Sequence, residues 1–475
     1  MFEERQKEFE SIFYPKSIAV VGVSAYEDKS GTLWVKGLIA AGFPGALYPI
    51  GSSGGTIGGL DILPNLRQIP GNVDYVVVCI PRGAILGLLD DCAAKKVKAI
   101  QFFTAGFREL SEEGRELEEQ MLGKAMEGGF RIIGPNCVGV YCPESRIPLG
   151  PSATGIIGPS GSVSFISQSG GMSGRLMATG LAEYINYSKG ISIGNCIDLD
   201  ASDFLQYFAG DPKTSVIGAY LEGARDGRRL FDTMRGVTKS KPVVVWKGGR
   251  TEAGAQTAMS HTGSLASSAA IWSAMLEQAG AIEALGVEEL CDFLLIFQQL
   301  GCWKGSNVAT IGGLGGGGGG ISVMASDACM ESGLKLPPLS SKIRTKLVEI
   351  IGEVGSILHN PVDVSQVWTR GPSNLFQAIE TVFEDPVIEL VLIQEDVDML
   401  MPFFGWEGLK RVNEFFIGLK KKQSKPLVIV SPPGCAEPER LSVEQMLLQA
   451  SIPVFPSMQR AAKAIVAINK YYSSR

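Results

Sequence analysis

Residues 163–171 read Val-Ser-Phe-Ile-Ser-Gln-Ser-Gly-Gly, a short apolar run that ends in serines and two glycines. A run of this length followed by small residues is typical of a buried strand that turns into the start of a helix. Residues 308–313, Val-Ala-Thr-Ile-Gly-Gly, repeat the pattern later in the chain. Each stretch therefore predicts a strand, a glycine loop and a helix, the opening unit of a doubly wound α/β sheet.

Three further features recur at matching places after both stretches. Each has an Asn-x-x-Asp motif, Asn195 with Asp198 and Asn360 with Asp363. Each then has a helical stretch that ends at Asp-Pro before a strand, and a Ser-Lys-Pro triplet before another strand (Asp-Pro at 211–212 and 385–386, Ser-Lys-Pro at 240–242 and 424–426). Residues 160–300 and 305–470 are therefore interpreted as two copies of one unit, and we predict two flavodoxin-like domains.

The first 145 residues alternate apolar runs with helical stretches in a similar way. Strands are predicted at residues 17–24, 46–50, 74–80, 99–103 and 131–137, with a helix at 33–41. This pattern predicts a parallel, Rossmann-like nucleotide-binding domain, although a domain of this kind that binds nothing is an alternative. The expected domains are residues 1–145, 146–304 and 305–475.

The first domain lacks the signals of a dinucleotide-binding enzyme. Its first loop, Gly-Val-Ser-Ala at residues 22–25, is not a GxGxxG motif, and the second strand ends in Ile-Gly-Ser at 50–52 without an acidic residue for an NAD ribose. Both observations argue against a dehydrogenase, which would need to bind NAD.

Composition excludes several classes of protein. Of the 475 residues 45% are hydrophobic and 19% charged, which is typical of a globular chain. The net charge of −6 and the lack of a long basic run argue against a nucleic-acid partner. We also expect no membrane span, because no apolar stretch reaches the roughly 18 residues that one needs. The nine scattered cysteines and the absence of a signal peptide predict a cytoplasmic protein with reduced thiols.

One of the chain's two histidines, His261, lies in Ser-His-Thr-Gly-Ser-Leu at residues 260–265. A strand is predicted at 242–246, a polar loop over 247–259 and a helix over 265–279. His261 is therefore expected in a loop beyond the carboxyl end of a strand, where α/β sheets bind ligands. A surface or helix-capping histidine is the alternative. We favour a chemical role, because the second copy has no histidine in its loop at 432–437.

Five residues at the end of the strand predicted from residue 163 are candidates for a phosphate site: Ser167, Gln168, Ser169, Gly170 and Gly171. Backbone N–H groups at a helix N-terminus, together with the helix dipole, favour a bound anion. The alternative is a tight turn without a ligand.

Glu222 directly follows the strand predicted at residues 216–221, where the second copy has Gln394 or Glu395. A carboxylate there is able to accept a hydrogen bond from one imidazole nitrogen, fix the tautomer and leave the other nitrogen nucleophilic. An exposed glutamate without a role is the alternative. Together, Glu222, His261 and the phosphate site suit a histidine that takes and returns a phosphoryl group.

The chain resembles the α subunits of NDP-forming acyl-CoA synthetases, the ADP-forming acetyl-CoA synthetase group related to succinyl-CoA synthetase. The motifs that carry the resemblance extend over nearly the whole chain. They are Ser-Ile-Ala-Val-Val-Gly at 17–22, Thr-Ala-Gly-Phe at 104–107, Ile-Ile-Gly-Pro-Asn-Cys at 132–137, Ser-Gln-Ser-Gly at 167–170, Tyr-Leu-Glu-Gly at 220–223, Ser-His-Thr-Gly-Ser-Leu-Ala at 260–266, Asn-Pro-Val-Asp at 360–363 and Ile-Pro-Val-Phe-Pro-Ser at 452–457.

The resemblance implies an acid–thiol ligase that interconverts acid, CoA and NTP with acyl-CoA, NDP and phosphate. It implies that His261 is phosphorylated and that Glu222 steadies it. It also implies that the first domain binds CoA, with Asn136 near the thiol. The residues implied to hold CoA are Gly22, Ser24, Ile80, Pro81, Thr104, Ala105, Gly106 and Asn136.

The resemblance further implies that this chain is one half of an enzyme. A separate ATP-grasp β subunit is expected to bring ADP or ATP and Mg²⁺, so no metal ligand is predicted in this chain, and a hetero-oligomer or a homodimer is expected. Two departures are the long glycine loop at 312–320 and the loop at 51–55 without the lysine often seen there. A non-catalytic CoA-binding or scaffold subunit is the alternative function. The acyl substrate, a small molecule, is not specified by the sequence.

Overall fold

The computed structural model describes residues 2–26, 29–262, 268–352, 357–367 and 372–475, with side chains described except at 2–5, 258–262 and 372. The chain divides into two compact units, Met1–Leu294 and Leu295–Arg475. No helix within the described ranges is long and apolar enough to cross a membrane.

The first unit begins with a five-stranded parallel sheet in the order β2-β1-β5-β6-β7. A small antiparallel pair, β3 with β4, lies outside it, as do two 3₁₀ turns at Leu66–Gln68 and Arg82–Ala84. Its elements are α1 (Phe2–Phe13), β1 (Ser17–Val21), α2 (Ser30–Ala41), β2 (Ala46–Ile50), β3 (Thr56–Ile57), β4 (Leu60–Asp61), β5 (Tyr75–Val78), α3 (Ile85–Ala94), β6 (Ala99–Phe102), α4 (Glu112–Gly128) and β7 (Arg131–Ile133).

A second, six-stranded sheet completes the first unit, in the order β13-β12-β11-β9-β10-β8, with β8 antiparallel to β10 and the other pairs parallel. Its elements are β8 (Gly139–Tyr141), β9 (Val163–Ser167), α5 (Gly170–Ala182), β10 (Tyr187–Ser192), α6 (Ala201–Gly210), β11 (Val216–Leu221), α7 (Gly227–Val237), β12 (Val243–Lys247), α8 (Glu252–Thr262), α9 (Ala269–Ala279), β13 (Ile282–Ala284) and α10 (Val287–Leu300), within which the division between the units falls.

The second unit contains one five-stranded parallel sheet in the order β15-β14-β16-β17-β18. Its elements are β14 (Val308–Gly312), α11 (Gly318–Ser332), α12 (Ser341–Ile351), β15 (Val362–Asp363), α13 (Pro372–Phe383), β16 (Leu390–Gln394), α14 (Val397–Lys422), β17 (Leu427–Val430), α15 (Glu437–Gln449), β18 (Val454–Phe455) and α16 (Met458–Ser473).

The predicted fold class is confirmed. Strands β9 to β13 are ordered β10-β9-β11-β12-β13, and strands β14 to β18 follow the same 2-1-3-4-5 order, which is that of flavodoxin-like sheets. The two repeated stretches of sequence therefore form two equivalent sheets. The domain boundaries at 145/146 and 304/305 stay predictions.

The strands are buried because helices cover both faces of each parallel sheet, which favours continuous apolar runs over alternating ones. All five residues of β9 and of β14 are buried. Two predicted strands, 46–50 and 216–221, coincide with β2 and β11. Ligand-binding loops are then expected at the carboxyl ends of the strands.

The polar loop predicted over residues 247–259 is wrong, because α8 begins at Glu252 and includes His261. The helix starts after Thr251, whose hydroxyl accepts a hydrogen bond from the Gly254 N–H at 3.1 Å and so caps its first turn. Glutamate, alanine and glutamine at 252, 253, 255 and 256 favour helix in the turns that follow. The helix predicted from 265 is described from Ala269, since residues 263–267 lie outside the described ranges.

Candidate active site

A cavity of about 540 Å³ lies in the first unit, where loops from the carboxyl ends of its two sheets meet. The loops after β5, β6 and β7 contribute one side, and those after β9 and β10 the other. The lining residues are Ser30, Cys79, Ile80, Pro81, Phe103, Thr104, Ala105, Asn136, Cys137, Val138, Gln168, Ser169, Gly170, Gly171, Gly194 and Asn195. The cavity thus brings together candidate CoA-binding and phosphate-binding residues from sequence.

Five of the candidate CoA-binding residues line this cavity: Ile80, Pro81, Thr104, Ala105 and Asn136. The Thr104 hydroxyl donates to the Ile80 carbonyl at 2.8 Å, and the Asn136 N–H donates to the Thr104 carbonyl at 3.0 Å. Asn136 has a φ of 58°, in the left-handed region that asparagine tolerates better than most residues. Three strand ends are therefore fastened to one another around the cavity.

Gly22 and Ser24 shape the loop between β1 and α2. Gly22 has a φ of +102°, and a Cβ there would lie 2.5 Å from the Cys79 carbonyl oxygen, so only glycine fits. The Ser24 N–H donates to the Thr32 hydroxyl at 3.1 Å, and that hydroxyl donates back to the Ser24 carbonyl at 3.0 Å. This loop positions the start of α2, whose first residue, Ser30, lines the cavity.

The candidate phosphate-binding residues lie where β9 passes into α5. The Ser169 hydroxyl caps α5 by accepting from the Met172 N–H at 3.3 Å, and Gly170 and Gly171 form the first turn and line the cavity. Ser167 is buried, and its hydroxyl donates to the Ser169 carbonyl at 2.8 Å. Ser167 therefore supports the turn, while the helix N-terminus borders the cavity and favours an anion there.

Gln168 links this turn to the loop after β11. Its Nε2 donates to the Gly223 carbonyl at 3.0 Å, and its Oε1 accepts from the N–H groups of Glu222 and Gly223, the latter at 3.0 Å. The carboxamide thus joins the turn before α5 to the backbone of Glu222 and Gly223.

Glu222 lines a second cavity of about 160 Å³ that adjoins the first. Its side chain is buried, Oε1 accepts from the Tyr220 hydroxyl at 3.0 Å, and Oε2 has no hydrogen-bond partner among the described residues. The lining residues are Arg108, Gln168, Gly194, Asn195, Cys196, Asp200, Ala201, Ser202, Glu222, Gly223, Ala224, Arg225, Asp226 and Leu230. A buried carboxylate oxygen without a donor is costly, and a bound cationic or N–H group would satisfy it.

Lys247 is a buried cation that the sequence interpretation overlooked. It ends β12 in register with Leu221, and its Nζ lies 5.3 Å from the centre of the Trp272 ring. Burial lowers the pKa of Lys247, and the charge of nearby Glu222 opposes that shift. The signal for this buried cation in the sequence is that Lys247 directly follows four apolar strand residues.

The two histidines lie in different units. His261 is in the last turn of α8, and its side chain lies outside the described part of the structure, so its relation to Glu222 stays a prediction. His359 lies in the second unit, where Nδ1 is 3.3 Å from Nη1 of half-buried Arg344.

Asn195 is a further site residue that the sequence interpretation treated only as part of a repeated motif. It lines both cavities, and its Nδ2 donates to Glu109 Oε2 at 2.7 Å and to Glu118 Oε1 at 2.8 Å. Glu109 Oε1 in turn accepts from the N–H of Gly106, another candidate CoA-binding residue, at 2.6 Å. Gly106 is therefore linked to the cavity lining through Glu109 and Asn195, by this chain of hydrogen bonds.

The protein's own thiols in the larger cavity are poor nucleophiles. Burial raises the pKa of Cys79 to about 12 and raises the pKa of Cys137 as well. Both thiols are therefore protonated at neutral pH and do not compete with a bound thiol. No group of three or more His, Cys, Asp or Glu side chains in the described ranges is placed to hold a metal ion.

Two domain families match stretches that lie almost entirely in the first unit. A family described as "CoA binding domain" matches residues 16–143, and one described as "Succinyl-CoA ligase like flavodoxin domain" matches residues 160–297. The larger cavity lies between these two stretches of chain.

Curated relatives match almost the whole chain. The α subunit of acetate–CoA ligase (ADP-forming) I from Pyrococcus furiosus is 33% identical over 467 residues, which cover 97% of each chain. Acetate–CoA ligase (ADP-forming) I from Archaeoglobus fulgidus is 33% identical over 462 residues, which cover 97% of this chain and 63% of that protein. A solved structure, acetyl-coenzyme A synthetase 1 of Ca. Korarchaeum cryptofilum in complex with phosphate and ADP, matches with a TM-score of 0.85 and 30% identity over 98% of this chain and 97% of the other.

Proposed function

The chain belongs to the ADP-forming acyl-CoA synthetase family, and from that membership we propose that it is the α subunit of such an enzyme, with its catalytic centre at the two adjoining cavities. The proposal rests on the observation that the two cavities share lining residues, so that one wall separates them. It joins a cavity built on the CoA-binding domain to a cavity that holds a buried carboxylate. A thiol in the first is thereby brought next to an acyl or phosphoryl group in the second.

The proposed reaction has two group transfers on this chain. Acyl-CoA and phosphate exchange to give acyl phosphate and CoA, and the phosphoryl group then passes to His261 before it leaves for a nucleoside diphosphate. Phosphoryl transfer depends on positioning and on donors that surround the phosphoryl oxygens. The N–H groups at the start of α5, held by the Ser169 cap, supply such donors at the cavity.

Glu222 is proposed to accept a hydrogen bond from the imidazole of His261. Its Oε2 has no partner within the described residues, although the side chain is buried, so an N–H donor would satisfy it. A carboxylate in that place selects the tautomer whose other nitrogen attacks phosphorus and stabilises the cationic ring that results.

A second subunit is proposed to bring the nucleotide and Mg²⁺ on an ATP-grasp fold. Two relatives from Pyrococcus furiosus are named α subunits, and this chain spans 97% and 96% of their lengths. The Archaeoglobus fulgidus relative is longer, since this chain spans 63% of it. We place the protein in the cytoplasm, which agrees with nine free cysteines.

Calorimetry and a reconstituted assay test the proposal. We expect the chain to bind CoA more tightly than NAD, and to form acyl-CoA from ATP, CoA and a carboxylic acid only when the ATP-grasp subunit is added. Tighter binding of NAD, or no acyl-CoA with any acid of a broad panel in the presence of the partner, would contradict it. Full turnover by the chain alone would refute the proposal that a second subunit is needed to bring the nucleotide.

A further inference from the structure

Three residues, Gln168, Gly194 and Asn195, line both cavities and so form the wall between them. The Gln168 carboxamide is bonded on both sides to the backbone after β11. Gly194 has no side chain, and a Cβ there would lie 2.1 Å from the Pro135 carbonyl oxygen. Asn195 therefore supplies the side chain of this wall that a ligand can reach.

Asn195 is fixed in one orientation. Its N–H donates to the Pro135 carbonyl at 2.9 Å, and its Nδ2 donates to Glu109 at 2.7 Å and Glu118 at 2.8 Å. Ionised carboxylates only accept hydrogen bonds, so the NH₂ group must be the one that faces them. Both amide hydrogens are then used, so the carboxamide oxygen is the atom of this side chain that remains to accept a hydrogen bond from a ligand.

The two carboxylates that hold Asn195 are themselves held. Glu118 is 2% exposed and pairs with the guanidinium of Arg108. Burial favours the neutral form of Glu109, but hydrogen bonds from Asn195 and from the Gly106 N–H outweigh burial and lower its pKa. Glu109 is therefore ionised at neutral pH and keeps the amide in place.

We propose that the Asn195 carboxamide oxygen accepts a hydrogen bond from the thiol of CoA and so aims the sulfur from the larger cavity at the acyl carbon in the smaller one. This inference rests on the proposed function. In the transfer the sulfur forms a bond to the carbonyl carbon, and the bond from that carbon to the phosphate oxygen breaks with its electron pair. The thiol proton leaves with the phosphate as HPO₄²⁻, and Asn195 neither gains nor loses a proton.

Two steps measured on the chain with its partner subunit test the assignment. One is formation of acetyl-CoA from acetyl phosphate and CoA, and the other is labelling of the chain by ³²P-acetyl phosphate without CoA. Asn195→Ala should lower the first rate about tenfold, the effect of one lost hydrogen bond. Labelling should stay at the wild-type value, since the thiol takes no part in it, and the affinity for CoA should fall only to the affinity that wild type has for desulfo-CoA.

Glu109 offers a matched pair of variants, because it touches Asn195 without lining either cavity in the described part of the chain. Glu109→Ala frees one amide hydrogen and should slow acetyl-CoA formation less than Asn195→Ala does. Glu109→Gln keeps an accepting oxygen and should restore the rate. Asn72→Ala changes an exposed asparagine ahead of β5 and should leave both steps unaltered.

Desulfo-CoA provides a readout that a structural role would not move. Wild type should bind CoA more tightly than desulfo-CoA, and Asn195→Ala should bind the two alike. Equal loss of labelling and acetyl-CoA formation in Asn195→Ala, or no loss of either, would overturn the assignment. If Asn195→Ala does not fold, a Glu109→Ala protein with wild-type acetyl-CoA formation overturns it. A wild-type chain that shows neither step would instead remove the proposed function itself.

Discussion

The two flavodoxin-like sheets have the same strand order, but the carboxyl ends of their strands differ in whether space for a ligand is left open. In the first, Ser169 caps α5 and the glycines after it border an open cavity. In the second, the Asp363 carboxylate packs against the start of α11, where a Cβ added to Gly318 would lie 1.7 Å from Oδ1. The place that a ligand phosphate would take in one sheet is filled by the chain's own carboxylate in the other.

The helices that follow the fourth strands differ in the same sense. In the second sheet Asp398 accepts hydrogen bonds from the N–H groups of Cys435 and Ala436, both at 2.7 Å, just ahead of α15. That carboxylate satisfies the helix N-terminus, which attracts negative charge. In the first sheet the corresponding helix, α8, is capped by neutral Thr251 and includes His261.

The glutamates after the third strands complete the comparison. Glu222 is buried but lines a cavity, whereas Glu395 is fully buried and accepts from Asn413 Nδ2 at 2.7 Å. Burial raises the pKa of Glu395 to about 8. The fold thus places a carboxylate at this position twice, and access for a ligand decides which one is suited to chemistry.

The largest expected effect separates these two glutamates. Glu222→Gln should slow phosphorylation of the chain by acyl phosphate about ten- to a hundredfold, because a charge-assisted hydrogen bond is worth roughly 1.5–3 kcal/mol. Glu395→Gln should label at the wild-type rate, since the amide is neutral like the protonated acid it replaces. Single-turnover labelling measures both, and equal rates for the two variants would break the comparison.

A smaller effect is expected from alanine at the two helix starts. Gly318→Ala should destabilise the structure around α11 by about 1–3 kcal/mol, the usual cost of overpacking. Gly171→Ala should be tolerated, because the atom nearest to its Cβ is Ser169 Oγ at 3.9 Å. Amide hydrogen exchange in α11 and α5 of the full chain reports each effect locally. Equal protection in the two variants would show that both helix starts are equally open.

A further effect concerns pH and Glu395. Its pKa is raised from 4.5 to about 8 in the folded chain, so the folded state binds a proton that the unfolded state releases between those values. Local stability around β16 should therefore fall as pH rises from about 4.5 to about 8, by at most about 1.4 kcal/mol per pH unit, and level off above. Glu395→Gln should flatten this dependence in hydrogen exchange. A wild-type profile that rises over the same range would contradict the assignment of the proton.

Sequence predicted the fold well where an apolar run ended at turn residues, as at β2 and β11. It predicted a strand after the Asp-Pro pair at 385–386, and β16 begins there at Leu390, after a turn in which the Ile388 N–H donates to the Asp385 carbonyl. It also read α8 as a loop, since small polar residues between a strand and a helix suit either conformation.

The loops of the site were predictable from the sequence, but the residues that separate its two cavities were not. Glycines and serines after a strand identified the turn before α5, because that chemistry is local. The role of Asn195 depends on Glu109 and Glu118, which lie 86 and 77 residues away in sequence. Nothing adjacent to Asn195 signals those partners, whereas Lys247 was visible as a charge at the end of an apolar strand. The roles of His261 and Glu222 stay predictions.

The most direct measurement is phosphorylation of the full chain by acyl phosphate in wild type, His261→Ala and His359→Ala, with the label located by peptide mapping. Only the first flavodoxin-like sheet is expected to carry phosphoryl chemistry. Wild type and His359→Ala should therefore take an acid-labile, base-stable label on the peptide that contains residue 261, and His261→Ala should take none. Wild-type labelling of His261→Ala, or a label on the second sheet, would contradict the account.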